Sequence, residues 1–333
     1  MTPRYIGITS TIPVEIVYAA GAIPVDLNNA FIVAADPLDL ISQAENAGFA
    51  RNYCAWIKGI FGALQRRPEI SEVIGVVQGD CANTNALLDL LRHRGYKTYS
   101  FAYPSRGEGA DLGRAIDKLA RELAAPAAEI ENWRTRLNGV RRLALEIDRM
   151  TWEENRFSGE ENHLALIDTS DFRGNPDSYS KDMALQIEAG QQRPPLPDGV
   201  RLGMAGVPPI TSDIFSNAAE LGARVVYNEV QREFAMPRSS RGLVEQYLGY
   251  TYPYGAGARA PEIAREASRR CLDGLVHYVQ SFCYHQLDEI IIRETAGVPV
   301  LSLEADKPGL LDARNRLRLE AFVETLSSGL DVR

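Results

Sequence analysis

No stretch of this 333-residue chain reaches the roughly 18 uninterrupted apolar residues that a membrane span needs, so a membrane protein is not expected. The opening MTPRYIGITS lacks both the basic and the apolar region of an export signal, which makes the cytoplasm the expected compartment. Positive charge is in deficit, with 36 Lys and Arg against 44 Asp and Glu and a net charge of -8. Such a surface offers no field to attract a phosphate backbone, and nucleic acid is excluded as a partner class. There is no GxxxxGK[ST] run, so any ATP-driven step has to come from another protein. Cysteine is also scarce. The four residues Cys54, Cys81, Cys271 and Cys283 stand far apart without a CxxC pair, which removes the spacings of zinc ribbons and ferredoxins. A reducing compartment argues against disulfides. By number alone, four thiols are an ordinary complement of buried, inert side chains.

What is present is a repeated alternation of short apolar runs and helical periodicity. Tyr5 to Thr9 and Ile23 to Leu27 read as strands around a helix that begins near Pro13 and stops at Gly21. Residues 36–65 are mostly helical, with Cys54 just ahead of an amphipathic run. Val73 to Val77 and Thr98 to Tyr103 read as strands flanking a helix from Ala86 to His93. From about Ala110 to Ala189 the chain is helical, and Arg193-Pro-Pro-Leu-Pro-Asp-Gly199 is a linker because Pro continues neither helix nor central strand. The alternation then restarts, with strands at Arg201 to Ala205, Ala223 to Asn228, Gly274 to Val279 and Pro299 to Glu304. A helix is expected from Pro261, and a closing one from about Leu310. This pattern predicts an α/β protein of two Rossmann-like or flavodoxin-like domains with mainly parallel sheets, joined by a helical segment. The expected boundaries are 1–109 for the domain carrying Cys54 and Cys81, 110–195 for the connector and 196–333 for the domain carrying Cys283.

In open parallel sheets ligands bind at the carboxyl ends of strands. Cys81 and Cys283 both fall there, a few polar residues after a buried strand and just before a helix. Cys54 lies near the start of a helix, where the dipole and free N–H groups favour the thiolate that iron requires. Cys271, at a helix end ahead of a strand, reads as structural. Five further residues carry two readings each. His285 is first a solvent-exposed residue at a helix start and second a proton donor. Glu15 is first a carboxylate complementing a helix dipole and second a substrate contact. Gln78, Asp80 and Asn83 share the Cys81 loop and are equally plain turn formers and hydrogen-bonding groups that tune what that thiol binds. Gly255-Ala-Gly257 is too short for a nucleotide loop and reads as a turn.

Three segments carry a resemblance. Gly7-Ile-Thr-Ser-Thr-Ile-Pro13 through Gly21-Ala-Ile-Pro24, Tyr53-Cys54-Ala-Trp-Ile-Lys58 with Val76-Val-Gln-Gly-Asp-Cys81, and Asp273 through Cys283 to Glu304 and Arg316-Leu-Arg318 follow one another in order. Together they resemble the 2-hydroxyacyl-CoA dehydratase and benzoyl-CoA reductase family, in its D-component type of subunit. The resemblance implies a [4Fe–4S] cluster held by Cys54, Cys81 and Cys283 from two domains, with one iron open. It further implies a CoA thioester or other small-molecule substrate, a separate ATP-hydrolysing iron–sulfur activator that supplies low-potential electrons, and a homodimer or a heterodimer with a homologous subunit. Radical chemistry on the thioester is the implied reaction. The alternatives are an ATP-coupled reductase of another small molecule on the same scaffold, or a non-catalytic electron-relay subunit. A double-cubane branch of the family needs about six thiolates, and four cysteines do not supply them. The chain departs from many relatives at Ser10 and after Asn228, where another cysteine often stands. Catalytic acid and base residues, and the acyl group, are not marked by any motif.

Overall fold

A computed structural model describes residues 3–105 and 107–330. In chain order it runs β1 (Arg4–Ile8), α1 (Val14–Ala19), β2 (Ala22–Asp26), α2 (Leu27–Ile32), α3 (Pro37–Asn46), α4 (Ala55–Gln65), β3 (Ile70–Gln78), α5 (Asn83–His93), β4 (Lys97–Ala102) and α6 (Gly109–Leu123). The helices α7 (Ala127–Trp152), α8 (Gly159–Ile167) and α9 (Pro176–Gln192) follow. Then come β5 (Val200–Gly206), α10 (Ile214–Glu220), β6 (Ala223–Asn228), α11 (Glu229–Phe234), α12 (Leu243–Leu248) and α13 (Ala256–Arg269). The chain closes with β7 (Gly274–Gln280), α14 (Asp288–Thr295), β8 (Val300–Ala305) and α15 (Ala313–Leu330). Two compact units result: residues 1–142, 168–181 and 234–254 form the first, and residues 143–167, 182–233 and 255–333 the second.

Each unit is built on one four-stranded, all-parallel sheet, ordered β2-β1-β3-β4 in the first and β6-β5-β7-β8 in the second. The expected α/β class with parallel sheets is therefore present. Parallel strands covered on both faces are buried along their length, and all seven residues of β7 are buried, His277 and Gln280 among them. In the first unit the core joins Val73 and Ile70 of β3 to Ile57, Ile60, Phe61 and Leu64 of α4 and to Leu87, Leu88 and Leu91 of α5. In the second it joins Leu275 of β7 to Ala260, Ile263 and Ala267 of α13 and to Ile292 of α14. Helix α4 packs so closely that a Cβ on Gly62 would lie 2.3 Å from the Leu40 carbonyl oxygen of α3. Only glycine fits there.

Two helical expectations change. Residues 36–65 hold two helices, α3 and α4, separated by a turn that ends at Cys54. Helix α13 begins at Ala256 with Pro261 inside it, so Gly255-Ala-Gly257 opens a helix rather than forming a turn of its own. Among the described residues, no helix is long and apolar enough to cross a membrane.

Candidate functional site

The order 2-1-3-4 of each sheet reverses direction between its first and third strands, which is where open α/β sheets place their ligands. The third strand of each unit, β3 or β7, ends on a glutamine, and a cysteine follows three residues later: Gln78-Gly-Asp-Cys81 and Gln280-Ser-Phe-Cys283. Both turns depend on a left-handed residue, Gly79 at φ +90° and Phe282 at φ +61°. In the first turn a Cβ at position 79 would lie 2.8 Å from the β-carbons of Pro253 and Tyr103. The Cys81 carbonyl accepts from the Thr84 N–H at 3.0 Å, which leads the chain into α5. In the second turn the Cys283 N–H donates to the Gln280 carbonyl at 3.0 Å, and the Cys283 carbonyl accepts from Gln286 at 3.1 Å.

Cys54 is the N-cap of α4, and its carbonyl accepts from the Lys58 N–H at 3.1 Å. Its side chain makes no capping hydrogen bond to the helix. Cys54, Cys81 and Tyr53 pack against the same hydrophobic cluster. Burial raises the Tyr53 phenol above its ordinary pKa, and the nearby Cys81 and Cys54 sulfurs push it the same way. The first unit thus brings two of the expected cysteines to one tyrosine. Cys283 belongs to the second unit. None of the four cysteines is in a disulfide; Cys54, Cys81 and Cys283 are half-buried, whereas Cys271 is exposed at φ +51°. Half-buried thiols at strand and helix ends are the donor type that iron–sulfur clusters use. Among the described residues, no group of three or more His, Cys, Asp or Glu side chains could hold a metal ion.

His285 is not the solvent-exposed residue expected. It is 4% exposed, and its Nδ1 lies 2.6 Å from Asp288 Oδ2. Burial alone would raise the Asp288 carboxyl, yet the hydrogen bond from His285 and the charges of His285 and Arg259 hold it below the usual range. Arg259, fully buried, donates to Asp288 at 2.8 Å and through two nitrogens to Glu229 at 2.8 Å each. Glu229 in turn accepts from the Gly206 N–H at 3.1 Å, at the end of β5. This chain of contacts was invisible as a motif. Its local trace in the sequence is the i,i+3 spacing of His285 and Asp288.

Glu15 is structural rather than a substrate contact. It is completely buried and accepts from Arg141 at 2.7 Å, Gln246 at 2.8 Å and Tyr247 at 2.8 Å. Gln78 lines a cavity of about 350 Å³ at the carboxyl ends of β3 and β4, together with Tyr103, Ser105, Glu108, Asp111 and Arg114. His277 lies fully buried within β7, and burial with the adjacent Arg259 charge pushes its pKa down to about 4.

No curated protein matches the chain. A family model described as the 2-hydroxyglutaryl-CoA dehydratase D-component matches residues 9–326, a span that takes in both sheets, both Gln-x-x-Cys turns and the Cys54 helix start. By that span the chain belongs to the 2-hydroxyglutaryl-CoA dehydratase D-component family.

Proposed function

We propose that this chain is the [4Fe–4S] subunit of a cytoplasmic 2-hydroxyacyl-CoA dehydratase or benzoyl-CoA reductase-like enzyme, with Cys54, Cys81 and Cys283 as the cluster ligands. The observation that carries the reading is the same Gln-x-x-Cys spacing after the third strand of both sheets, with Cys54 and Cys81 packed against one hydrophobic cluster of the first unit. When bound, such a cluster supplies an iron with a free position and a low-potential electron for a CoA thioester carbonyl. The chain's own part is to present three thiolates. The α4 N-terminus favours the charged form of Cys54, and the two turns leave Cys81 and Cys283 half-buried just beyond the ends of β3 and β7. The electron comes from an ATP-hydrolysing activator, since the chain has no phosphate loop of its own.

A homologous second subunit is supported by an apolar strip beside the second turn. Phe282, Tyr284, Leu287, Ile290 and Ile291 are 43–85% exposed within ten residues, and such patches mark association surfaces. Anaerobic reconstitution tests the reading directly. The wild type should bind about four irons per chain, and Cys54→Ser, Cys81→Ser or Cys283→Ser should each lose most of them, while Cys271→Ser keeps its full complement. A chain that stays iron-free after reconstitution overturns the proposal.

A further inference from the structure

The helix that precedes the strand leading into each cysteine turn is α4 in the first unit and α13 in the second, with N-caps Cys54 and Gly255. Four residues beyond each N-cap stands a buried cation, Lys58 at 1% exposure and Arg259 at 0%. Cations are seldom buried to that degree, because leaving water is costly unless partners replace it. Their partners therefore indicate what these positions are for. The Lys58 Nζ donates to Glu45 Oε1 and to the Arg51 carbonyl, both at 2.8 Å, tying α3 to the turn that delivers Cys54. Arg259 grips Glu229 with two nitrogens and reaches Asp288, whose Oδ2 also meets the His285 ring two residues after Cys283. Each contact is made within its own unit.

We infer that Lys58 and Arg259 are positioning residues that clamp the cysteine segments of their units, Lys58 for Cys54 and Arg259, through Asp288 and His285, for Cys283. The inference rests on the proposed function insofar as those cysteines are ligands. Its physical ground is that ligand geometry is set by the groups behind the ligands, and that a thiol on a loose turn loses the preorganisation on which metal affinity depends. The two clamps differ in kind. The lysine acts as a point charge on a backbone carbonyl, and the arginine as a planar fork shared between two carboxylates.

The test uses the full-length, iron-free chain and follows iodoacetamide alkylation of each cysteine by mass spectrometry, with rates extrapolated to full thiol ionisation so that a change in thiol pKa does not intrude. Lys58→Met should accelerate Cys54 on the order of tenfold and leave Cys283 at the wild-type rate, as local opening confined to one segment requires. Arg259→Gln should do the reverse, and Lys58→Arg should restore most of the Cys54 protection. Exposed Cys271 serves as the internal reference. If Arg259→Gln fails to fold, Asp288→Asn decides the second clamp, because it spares the Arg259–Glu229 pair and should still free Cys283 alone. Equal acceleration at both sites in either variant would mean general loosening and overturn the inference, as would no acceleration at all. Iron content plays no part in this readout, so the clamps and the cluster reading can fail separately.

Discussion

The two cysteine turns share a strand end, a glutamine and a spacing, yet they bend at different places, one residue after the glutamine in the first and two after it in the second. Gly79 occupies the left-handed region in the first unit and Phe282 in the second. Glycine adopts that conformation freely, whereas a bulky side chain is held there only by its surroundings. The Phe282 ring is 85% exposed, so the described residues cover little of it. The helix starts differ as well: Cys54 caps α4, and Gly255 caps α13. One plan thus presents two thiols in the first unit and one in the second, with an exposed aromatic ring where the second unit's turn is strained. What distinguishes the units is a handful of loop positions on a common sheet order.

The largest contrast should come from the buried ion networks. In the second unit Arg270 is fully buried and bonds both oxygens of Asp148, at 2.9 and 2.6 Å, with Glu266 at 2.9 Å and the Val226 carbonyl at 2.7 Å. Arg270→Met removes the shortest ion pairs of two buried carboxylates, leaving Asp148 to Asn162 at 3.1 Å and Arg232 at 3.5 Å and Glu266 to Arg269 at 3.3 Å and Arg232 at 3.7 Å, and urea unfolding should show a loss of roughly 3 kcal/mol. In the first unit Arg141→Met leaves Glu15 with the donors Gln246 and Tyr247. Its loss should be smaller, about 2 kcal/mol. Equal losses would mean that those two neutral donors do not compensate Glu15.

Acidification should separate the units next. His277 has a folded pKa lowered to about 4, so the folded state stays neutral where the unfolded chain, near 6.5, already binds a proton. Its share of stability is whole above pH 6.5 and is lost as the pH falls towards 4, on the order of 3 kcal/mol in full. Asp171 in the first unit runs the other way. Burial and the neighbouring Asp26 charge raise its carboxyl to about 7, so the folded state takes up a proton that the unfolded chain refuses until far lower pH, and acidification from 7 towards 4 favours the fold. Hydrogen exchange, corrected for its intrinsic pH dependence, should show β7 loosening between pH 7 and 5 while β2 does not. His277→Leu should abolish the β7 response.

Much of this architecture could be read from residue order because parallel strands are covered on both faces. Each apolar run expected as a strand coincides with one to within three residues, and Cys81 and Cys283 follow strand ends as the apolar-to-polar transition implies. The groups behind the cysteines could not be read. Lys58 and Arg259 look like surface cations on amphipathic helices, and only their partners, up to thirty residues away, explain why they are inside. His285 was misread for the same reason, since Arg259 and Asp288 make its burial possible. Glu15 finds Arg141 at a separation of 126 residues, a pairing that no local pattern encodes. Helix α13 starts ahead of Pro261, against the preference of proline for a first turn.

The smallest expected effect is the most direct test of the turn comparison. Gly79→Ala adds a β-carbon at φ +90° and only 2.8 Å from two others, which should cost roughly 1–3 kcal/mol. Phe282→Gly removes a side chain that is almost wholly in solvent and relaxes a left-handed bulky residue, worth about 1 kcal/mol, against which the greater freedom of glycine in the unfolded chain must be set. The net change should therefore lie within about 0.5 kcal/mol of zero. A loss at Gly79 with almost none at Phe282, which stands one place later in its turn, would show that only the first turn depends on its left-handed residue being what it is. If Phe282→Gly instead destabilises the isolated chain by as much as Gly79→Ala does, the exposed ring is supporting its own unit, and the apolar strip should then tolerate Ile290→Glu without any loss of subunit association in sedimentation.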